Sequence, residues 1–412
     1  MDDSVQQRFI PRDYDIFMGL DVDKTSIAIT WTDHQHLGAS LRMPAAMENL
    51  LHYTRRHFPG QRVAFAYEAG PTGYGLYDQL TAQGYCCLVV APSMVPTPPG
   101  QRVKTNRLDS LKLSTSLRGG QLRSIHVPAL SYRHLRHLTQ LRDTDVSQAT
   151  AFKCRIKSLL LFEGVPFPAA PTASQWSRRV VAQLQALPCA PAVRFKLDHL
   201  LASLQFAHEQ VRQTTREIRR FCTTDTELTQ CMGYLMTIPG IGWIVASQLL
   251  ARIGDWRQLR HARQLAAFLG VVASERSTGE RVQRGAITRT GDARLRNKLI
   301  QSAWWAIRHD PELAAFYRRI YGRHPRDQAA RKAIVAVARK LTTRIYAVLH
   351  EQRAYEVRTT FLTQAATPRP RARLDAPQNP GPSGGPAGSL LETESPGRGD
   401  PTQDGGAHLN TV

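Results

Sequence analysis

The chain has 412 residues, and its 54 lysines and arginines outnumber its 33 aspartates and glutamates, which gives a formal net charge of +21. A chain of this length exceeds one ordinary hydrophobic core, so we expect two or three domains. The positive charge indicates a polyanionic partner, which is most often nucleic acid, with an anionic membrane surface as the alternative.

Neither a membrane span nor a signal peptide is visible. No apolar stretch approaches the roughly 20 residues that span a bilayer, and the segment MDDSVQQRFIPRDYD lacks the basic and apolar parts of a signal peptide. We therefore expect a cytoplasmic, nucleoid-associated protein without a membrane partner. The six cysteines form no CxxC pair and no zinc-like spacing with histidine, so any metal would be held by carboxylates.

The first third of the sequence alternates strand-like and helix-like segments. Apolar runs at residues 15–33, 62–70 and 84–92 predict strands, the first of them folded as a hairpin. The segment GLYDQLTAQ, just before the third run, is typical of a helix. Strands that alternate with helices indicate an α/β domain with at least partly parallel pairing, which we place at residues 1–127.

Two long helical segments follow. Residues 131–164 carry leucines near helical spacing among arginines and histidines, and a second helical run covers residues 191–222. A Pro/Ala-rich break at residues 166–173 separates them. We interpret residues 128–230 as a helical, coiled-coil-like arm.

Residues 231–352 are predicted to form a mainly α-helical C-terminal domain. The segment LMTIPGIGWIVASQLLARIGDW indicates a helix that ends at Pro239, a tight turn and a second helix, in the manner of a helix-hairpin-helix. A further helix, a basic loop and two more helices follow. Residues 353–412 are rich in Pro, Gly and Ser and poor in large apolar residues, so we expect a disordered tail.

Three acidic residues are candidates for metal binding. Asp21 follows the apolar start of the first run and Glu68 follows that of the second, where ligand sites of α/β sheets usually form. Asp109 lies in a helix within RVKTNRLDSLKL. Neighbouring carboxylates repel unless a divalent cation neutralises them, and Mg²⁺ prefers oxygen ligands. If the helix delivers Asp109 to the other two, the site suits phosphoryl transfer. Each could instead be a capping or surface charge, with Asn106 as the N-cap of that helix.

The PGIG turn at residues 239–242 is a candidate phosphate contact. Backbone N–H groups around Gly240 and Gly242, at the start of a helix, can bind phosphate without reading sequence. A tight helix–helix connection is the alternative interpretation.

The segment SERSTGERVQRG, residues 274–285, places the hydroxyls of Ser277 and Thr278 in a basic sequence. A hydroxyl becomes a useful nucleophile when its proton is removed and the charge of the attacked phosphate is shielded. Arginines suit this shielding because a guanidinium group binds phosphate through two hydrogen bonds. The candidates for such a phosphate clamp are Arg276, Arg281, Arg284 and Arg289. An ordinary turn on a basic surface is the alternative.

Two sets of motifs resemble one known protein family. GLDVDKT, YEAGPTGYG and VKTNRLDSLKL resemble the RuvC-like DEDD domain of a bacterial insertion-sequence transposase family that includes the Piv-type invertases. The segment that runs from IPGIGWIV to QSAWWA resembles the C-terminal transposase domain of that family nearly end to end. The resemblance covers the chain to about residue 350 and implies a RuvC-like, ribonuclease-H-like fold for the first domain.

The resemblance also implies a metal site. The RuvC-like domain of this family binds Mg²⁺ through four acidic residues. The matching positions in this chain are Asp21, Glu68, Asn106 and Asp109. Asparagine stands in the third place and offers one carbonyl oxygen without a charge.

A nucleophile and partners are implied in the same way. The nucleophilic serine of the family matches Thr278, and Ser277 lies one residue earlier. Members of the family act on double-stranded DNA as homo-oligomers with a composite site, so we expect a dimer or a tetramer. Many members are guided by a structured noncoding RNA, which makes a guide RNA a candidate partner.

We interpret the chain as a DNA transposase that exchanges strands with Mg²⁺ and a serine or threonine nucleophile. Asn106 and Thr278 motivate one alternative, a degenerate homologue that binds DNA or RNA without cutting it. An actin-like or sugar-kinase-type ATPase is a second alternative, because GLDVDKTSIAIT also suits the phosphate-binding hairpin of those proteins. The ATPase interpretation leaves the basic C-terminal half unexplained.

Overall fold

The first part of the chain forms a five-stranded sheet. The computed structural model describes residues 9–96, 105–168, 176–278 and 281–357, and for Arg281 it describes the backbone alone. The strands of the sheet are β1 (Ile16–Val22), β2 (Ser26–Thr32), β3 (Leu37–Pro44), β4 (Val63–Glu68) and β5 (Cys86–Val90). They lie in the order β3-β2-β1-β4-β5. The β1–β2 and β2–β3 pairs are antiparallel, whereas the β1–β4 and β4–β5 pairs are parallel.

Strand β1 lies in the middle of the sheet and is covered on both faces. Met18 and Leu20 belong to one buried apolar cluster, whereas Phe17 belongs to another. Neighbouring residues of a strand point to opposite faces, so a strand that is buried on both faces needs a continuous apolar run. The run IFMGL at the start of β1 satisfies this requirement.

Helices cover the two faces of the sheet. These are α1 (Met47–His57), α2 (Gly75–Ala82) and α3 (Asn106–Arg118). Leu50 of α1 and Leu80 of α2 join the cluster of Met18, so both helices lie on that face. Leu113 of α3 joins the cluster of Phe17, which places α3 on the opposite face.

Helix α3 packs closely on β1 because residue 19 is glycine. A Cβ atom at Gly19 would lie 2.0 Å from the carbonyl oxygen of Ser110 and 2.4 Å from the backbone nitrogen of Ser114. The Ser110 hydroxyl lies 2.8 Å from that of Thr30, and the Ser114 hydroxyl lies 2.9 Å from that of Thr32. Each of these buried hydroxyls thus has a hydrogen-bond partner despite the close packing.

A helical arm follows the sheet. It contains α4 (Leu130–Phe162), α5 (Arg178–Gln185) and α6 (Pro191–Thr224). The hydroxyl of Thr214 in α6 donates to Asp145 of α4 at 2.8 Å, whereas Leu159 near the end of α4 shares a cluster with Leu201 near the start of α6. The two long helices therefore run in opposite directions along each other.

The C-terminal region consists of helices around one apolar core and a small hairpin. The helices are α7 (Thr226–Met236), α8 (Trp243–Ile253), α9 (Ala262–Phe268), α10 (Ala293–His309), α11 (Pro311–Tyr321) and α12 (Arg326–Glu351). The hairpin is formed by β6 (Ala273–Thr278) and β7 (Arg281–Ile287). Buried Arg344 of α12 contacts the carboxylate of Asp310, which also accepts a 2.7 Å hydrogen bond from the Tyr355 hydroxyl.

Side chains of helix α4 form hydrogen bonds with both the sheet domain and the C-terminal helices. Arg133 donates two hydrogen bonds of 2.8 Å to Asp78 of α2. The buried carboxylate of Asp143 accepts hydrogen bonds of 2.8 Å from Gln248 of α8 and from Lys298 of α10. All of the described residues belong to one compact unit.

The expected α/β sheet with partly parallel pairing and the mainly helical C-terminal region are confirmed. The predicted basic loop is instead the β6–β7 hairpin, which escaped detection because its strands are almost wholly exposed and polar. Strand β3 was missed for the same reason, since it is an exposed edge strand. None of the described helices is long and apolar enough to cross a bilayer.

The predicted domain boundaries stay predictions, and two of them fall next to ordered contacts. The boundary between residues 230 and 231 falls inside α7, which begins at Thr226 with Asp225 as its N-cap. Tyr355, past the predicted start of the tail at residue 353, is hydrogen-bonded through its backbone nitrogen to the Thr237 hydroxyl and through its own hydroxyl to Asp310. The rest of the predicted tail, residues 358–412, lies outside the described residues.

We expect Gly19→Ala to lower the free energy of unfolding by about 3 kcal/mol. Overpacking a closed interface costs roughly 1–3 kcal/mol, and here the obstructing atoms belong to the backbone of α3, which cannot turn aside. Chemical denaturation followed by circular dichroism measures the change. The matched control is Gly233→Ala in α7, where a Cβ atom would meet nothing within 4 Å.

The control variant should gain about 0.5–1 kcal/mol, because alanine is favoured over glycine inside a helix. Equal stability of Gly19→Ala and the parent chain would contradict the close contact between α3 and β1.

Candidate active site

Asp21 and Glu68 lie on the same face of the sheet at the ends of two neighbouring parallel strands. The register of β1 and β4 pairs Leu20 with Tyr67, so Asp21 and Glu68 occupy the next position of each strand. Side chains alternate along a strand, which puts Asp21 on the side of Phe17, the side that α3 covers. Glu68 lies on that side by the same alternation in β4. Both residues are half-buried.

Helix α3 runs back along β1 toward these two carboxylates. The Ser114 hydroxyl donates to the carbonyl oxygen of Phe17, whereas Ser110 contacts Gly19, two residues further along β1. The first turn of α3, which contains Asn106 and Asp109, therefore points toward the end of β1 that carries Asp21. The N-cap of α3 is Thr105, whose hydroxyl accepts from the backbone nitrogen of Leu108 at 3.3 Å, so the alternative of Asn106 as the N-cap is wrong.

Asp21 and Glu68 thus lie at one edge of the sheet, and the first turn of α3 is directed toward it. We call Asp21, Glu68, Asn106 and Asp109 the acidic edge. The edge offers only oxygen ligands, a donor set that fits a hard divalent cation such as Mg²⁺. Within the described ranges, no three acidic, histidine or cysteine side chains stand close enough together to hold a metal ion. Convergence of the acidic edge on one ion stays a prediction.

Ser277 and Thr278 are the last two residues of β6, at the tip of the β6–β7 hairpin. Thr278 pairs with Arg281 and Ser277 pairs with Val282, so only residues 279 and 280, which lie outside the described residues, connect the strands. Both hydroxyl-bearing residues are exposed. Because side chains alternate along a strand, the two hydroxyls project from opposite faces of the hairpin.

The face of Ser277 carries a carboxylate partner. The Ser277 hydroxyl donates to Oε1 of Glu275 at 3.0 Å, and the Arg284 guanidinium donates to Oε2 of the same carboxylate at 3.3 Å. The Ser277 hydroxyl and, after it, Arg284 hold the pKa of the Glu275 carboxyl below its usual range, because both stabilise the ionised form. Ser277 is therefore oriented by a charged hydrogen-bond acceptor.

The predicted arginine clamp is divided between the two faces. Arg276 shares the face of Thr278, whereas Arg284 pairs with Glu275 across the strands. Arg289 lies beyond β7, exposed, with a backbone φ of 56°, which is uncommon for a large side chain. The side chain of Arg281 lies outside the description.

The PGIG turn joins α7 and α8 and packs against α10. Gly240 has a φ of 85°, and a Cβ atom there would lie 2.2 Å from the carbonyl oxygen of Ser302, so packing alone requires glycine at this position. Gly242 is the N-cap of α8, is exposed, and has open space where a Cβ atom would lie. The tight connection is observed, and the phosphate contact stays a prediction.

Glu275 is the residue that sequence reasoning missed. Glu275 stands two residues before Ser277, and residues i and i+2 of a strand share a face, so this spacing could have predicted the contact. That spacing carries information only when the segment is known to be a strand, and ASERST has no apolar residue after Ala273 to indicate one.

We expect Ser277→Ala to raise the pKa of Glu275 toward its ordinary value, because the variant removes a hydrogen bond that stabilises the ionised carboxylate. Thr278→Ala should leave this pKa unchanged, since Thr278 lies on the opposite face. A pH titration of the labelled glutamate carboxyl carbons by nuclear magnetic resonance measures both variants. Equal shifts in the two variants would contradict the geometry of the hairpin.

Comparison with protein families matches both halves of the chain. Residues 18–163 match the DEDD transposase domain of the IS110 type, and residues 232–318 match the transposase family IS116/IS110/IS902. Together the two matches cover more than half of the 412 residues. The first includes the whole acidic edge, and the second includes the PGIG turn, the hairpin and α10.

Individual relatives agree with these matches. The chain is 31% identical over 337 residues to a protein of Sinorhizobium fredii named "Putative transposase y4qE", with 80% of each chain covered. It is 23% identical over 283 residues to the transposase for insertion sequence element IS1111A of Coxiella burnetii, covering 68% of this chain and 75% of that one. It is 27% identical over 151 residues to the pilin gene-inverting protein of Moraxella bovis, covering 36% of this chain and 46% of that one. The chain therefore belongs to the IS110/IS116/IS902 family of transposases.

Proposed function

We propose that this transposase exchanges DNA strands through a covalent protein–DNA intermediate formed at the tip of the β6–β7 hairpin. The observation that carries the proposal is the hydrogen bond from the Ser277 hydroxyl to Glu275, with Arg284 on the other carboxylate oxygen. A hydroxyl, an adjacent proton acceptor and a nearby cation are the parts that nucleophilic catalysis on a phosphodiester needs.

Ser277 is the nucleophile that this geometry favours, although Thr278 matches the motif. In the proposed step the Ser277 oxygen forms a bond to phosphorus, its proton moves to Glu275, and the bond from phosphorus to a deoxyribose oxygen breaks. The released deoxyribose oxygen takes up a proton from water and becomes a free hydroxyl, and Glu275 returns its proton to water. Reversal of the step with a different strand end joins the DNA and frees the serine.

The phosphate charge is shielded by the arginines around the hairpin. Arg276 and Arg289 are exposed, and Arg284 can turn from Glu275 to a phosphate because its side chain is 72% exposed. Arg281 is the fourth member of this proposed clamp. The first turn of α8, which begins after Gly242 without a side-chain cap, is a further proposed phosphate contact.

The acidic edge is the proposed divalent-metal site, and Mg²⁺ is the cation that its oxygen donors fit best. Asp21, Glu68 and Asp109 would hold the ion, with the amide oxygen of Asn106 beside them. When bound, the ion would add positive charge against the phosphate of a scissile strand. We further propose that the acidic edge of one protomer serves the hairpin of another in a homo-oligomer, a dimer or a tetramer.

Double-stranded DNA is the proposed substrate, and a structured guide RNA is a proposed partner. Both are polyanions, and the chain attracts polyanions because its 54 basic residues outnumber its 33 acidic residues. We propose the cytoplasm, at the nucleoid, as the site of action. Membership of a transposase family favours this function over the ATPase alternative.

A non-cutting homologue is the second candidate function, because Asn106 replaces an acid of the family pattern with a neutral amide. In that case the hairpin and the acidic edge would bind nucleic acid without cleaving it. The two candidates differ in one observable, the covalent adduct.

We expect the parent chain to form a covalent adduct on a nicked suicide substrate in Mg²⁺, and Ser277→Ala to lose it. Thr278→Ala should retain most of the adduct. Glu275→Gln should slow its formation by at least about tenfold, since general-base assistance contributes typically 10²–10⁴-fold. Denaturing electrophoresis of labelled DNA measures the adduct.

Loss of the adduct in Thr278→Ala alone would transfer the role of nucleophile to Thr278. Adduct retained in both variants would exclude the hairpin as the source of the nucleophile. A parent chain that binds duplex DNA but forms no covalent adduct would support the non-cutting candidate.

We expect Asn106→Asp to raise the affinity for Mg²⁺ by about tenfold, because a unit charge a few ångströms from the ion contributes on the order of 1–4 kcal/mol at a protein surface. Calorimetric titration of the full chain measures the affinity. The control is Asn49→Asp, which adds the same charge to the first turn of α1, on the other face of the sheet. Equal affinities of the two variants would remove Asn106 from the metal site.

A further inference from the structure

Helix α10 exposes two tryptophans to solvent. Trp304 is 40% exposed and Trp305 is 57% exposed. The opposite side of α10 is buried in the C-terminal core through small and aliphatic residues, namely Leu295, Leu299, Ser302, Ala303 and Ala306. The core side of the helix is therefore packed without the two tryptophans, and the C-terminal core gives no reason for tryptophan at either position.

Aromatic neighbours and a cation surround the two indole rings. The Trp305 ring is stacked on His309, with ring centroids 5.6 Å apart and an angle of 8° between the planes. The guanidinium of Arg308 lies 5.6 Å from the centre of the Trp305 ring. The Trp304 ring contacts Tyr317 of α11, with centroids 5.7 Å apart. These contacts orient the rings while large parts of them stay accessible.

The two helices that carry these rings also carry many exposed arginines. Arg294, Arg308, Arg318, Arg319 and Arg323 are all exposed on or just after α10 and α11. The acidic residues between positions 293 and 324 are Asp310 and Glu312. Both form ion pairs with Arg344, so neither of them neutralises the exposed arginines.

We propose that this stacking face binds single-stranded nucleic acid, with unpaired bases stacked on the two tryptophans. The stacking face is defined by Arg294, Asn297, Gln301, Trp304, Trp305 and Arg308. Its arginines attract the phosphate backbone, and its amide side chains offer hydrogen bonds to base edges. Duplex DNA does not fit, because its bases are stacked on one another and cannot offer their flat surfaces to an indole ring.

The position of the stacking face relative to the hairpin supports the proposal. The Arg296 guanidinium donates to the carbonyl oxygen of Thr290 at 3.0 Å and of Leu269 at 3.3 Å, which fastens the loop after β7 to the start of α10. From Arg294 to Trp305 the helix rises by about 16 Å. A strand that is unpaired near the hairpin can reach the tryptophans by following one side of a single helix.

A second copy of the chain is a poorer occupant of the stacking face. A twofold interface places the same patch on both partners, which would bring the exposed arginines of one copy near those of the other. Like charges that face each other across an interface are unfavourable. A polyanion is instead drawn to this surface by the same arginines.

The test is a binding measurement with the full chain, and it requires no cleavage. The probes are a short labelled oligothymidine, an oligouridine of equal length and a blunt duplex. We expect Trp305→Ala to weaken binding of single strands by about tenfold and to leave duplex binding unchanged, because base–aromatic stacking contributes this much per base. Trp305→Phe should retain most of the affinity. A larger loss for oligouridine identifies RNA as the preferred strand, and a larger loss for oligothymidine identifies DNA.

Phe206→Ala is the matched control, because Phe206 is a 67% exposed aromatic residue on α6 of the arm. It should leave binding of every probe unchanged. The test uses Trp305→Ala and not Trp304→Ala, because Trp304 contacts Tyr317 and its removal could lower stability.

Unchanged single-strand affinity in Trp305→Ala would overturn the proposal. An equal loss for single strands and duplex would overturn it as well, because the face would then act as a general electrostatic surface. Dissociation of an oligomer in size-exclusion chromatography, with single-strand affinity intact, would assign the face to a second copy instead. None of these binding results depends on the covalent adduct. The proposal for the stacking face can therefore be contradicted without contradicting the proposal of strand exchange, and the reverse also holds.

Discussion

The buried carboxylate of Asp143 is the contact on which the arrangement of the C-terminal half depends. It lies on α4 and accepts hydrogen bonds from Gln248 of α8 and Lys298 of α10. A charge that is 8% exposed is tolerated only when it is paired, and removing one partner of such a pair typically costs about 3–5 kcal/mol. One side chain therefore holds together the arm, the helix that begins at the PGIG turn and the helix that carries the stacking face.

The same helix α4 also reaches the sheet. Arg133 binds Asp78 through both terminal guanidinium nitrogens, which fixes orientation as well as distance. The acidic edge and the hairpin consequently belong to one compact unit, although they are built from different domains of the family. Their separate construction agrees with the proposal that a complete site combines elements of two protomers.

The two candidate sites differ in how firmly the fold holds them. The acidic edge is attached to buried strands and to a helix that packs backbone to backbone on Gly19. The hairpin is exposed along most of its length, and its side chains make their hydrogen bonds mainly to one another. Segments with little buried surface are the easiest to rearrange, which agrees with the proposal that the hairpin carries a nucleophile. The rigid edge agrees with the proposed metal site, since small displacements of its ligands would weaken binding of an ion.

The sequence by itself determined the family, the α/β sheet and the long helices, because apolar periodicity and local motifs carry that information. It also placed Asp21 and Glu68 correctly near strand ends, since Asp21 is the last residue but one of β1 and Glu68 is the last residue of β4. Only the tertiary structure decided that Thr105 caps α3, that Gly240 is required by its contact with Ser302, and that Glu275 accepts the Ser277 hydrogen bond. These features depend on contacts between segments that are distant in the sequence, or on the pairing of strands whose polar, exposed residues give no sign of it. Periodicity reports burial, so a site built from exposed residues becomes visible only in three dimensions.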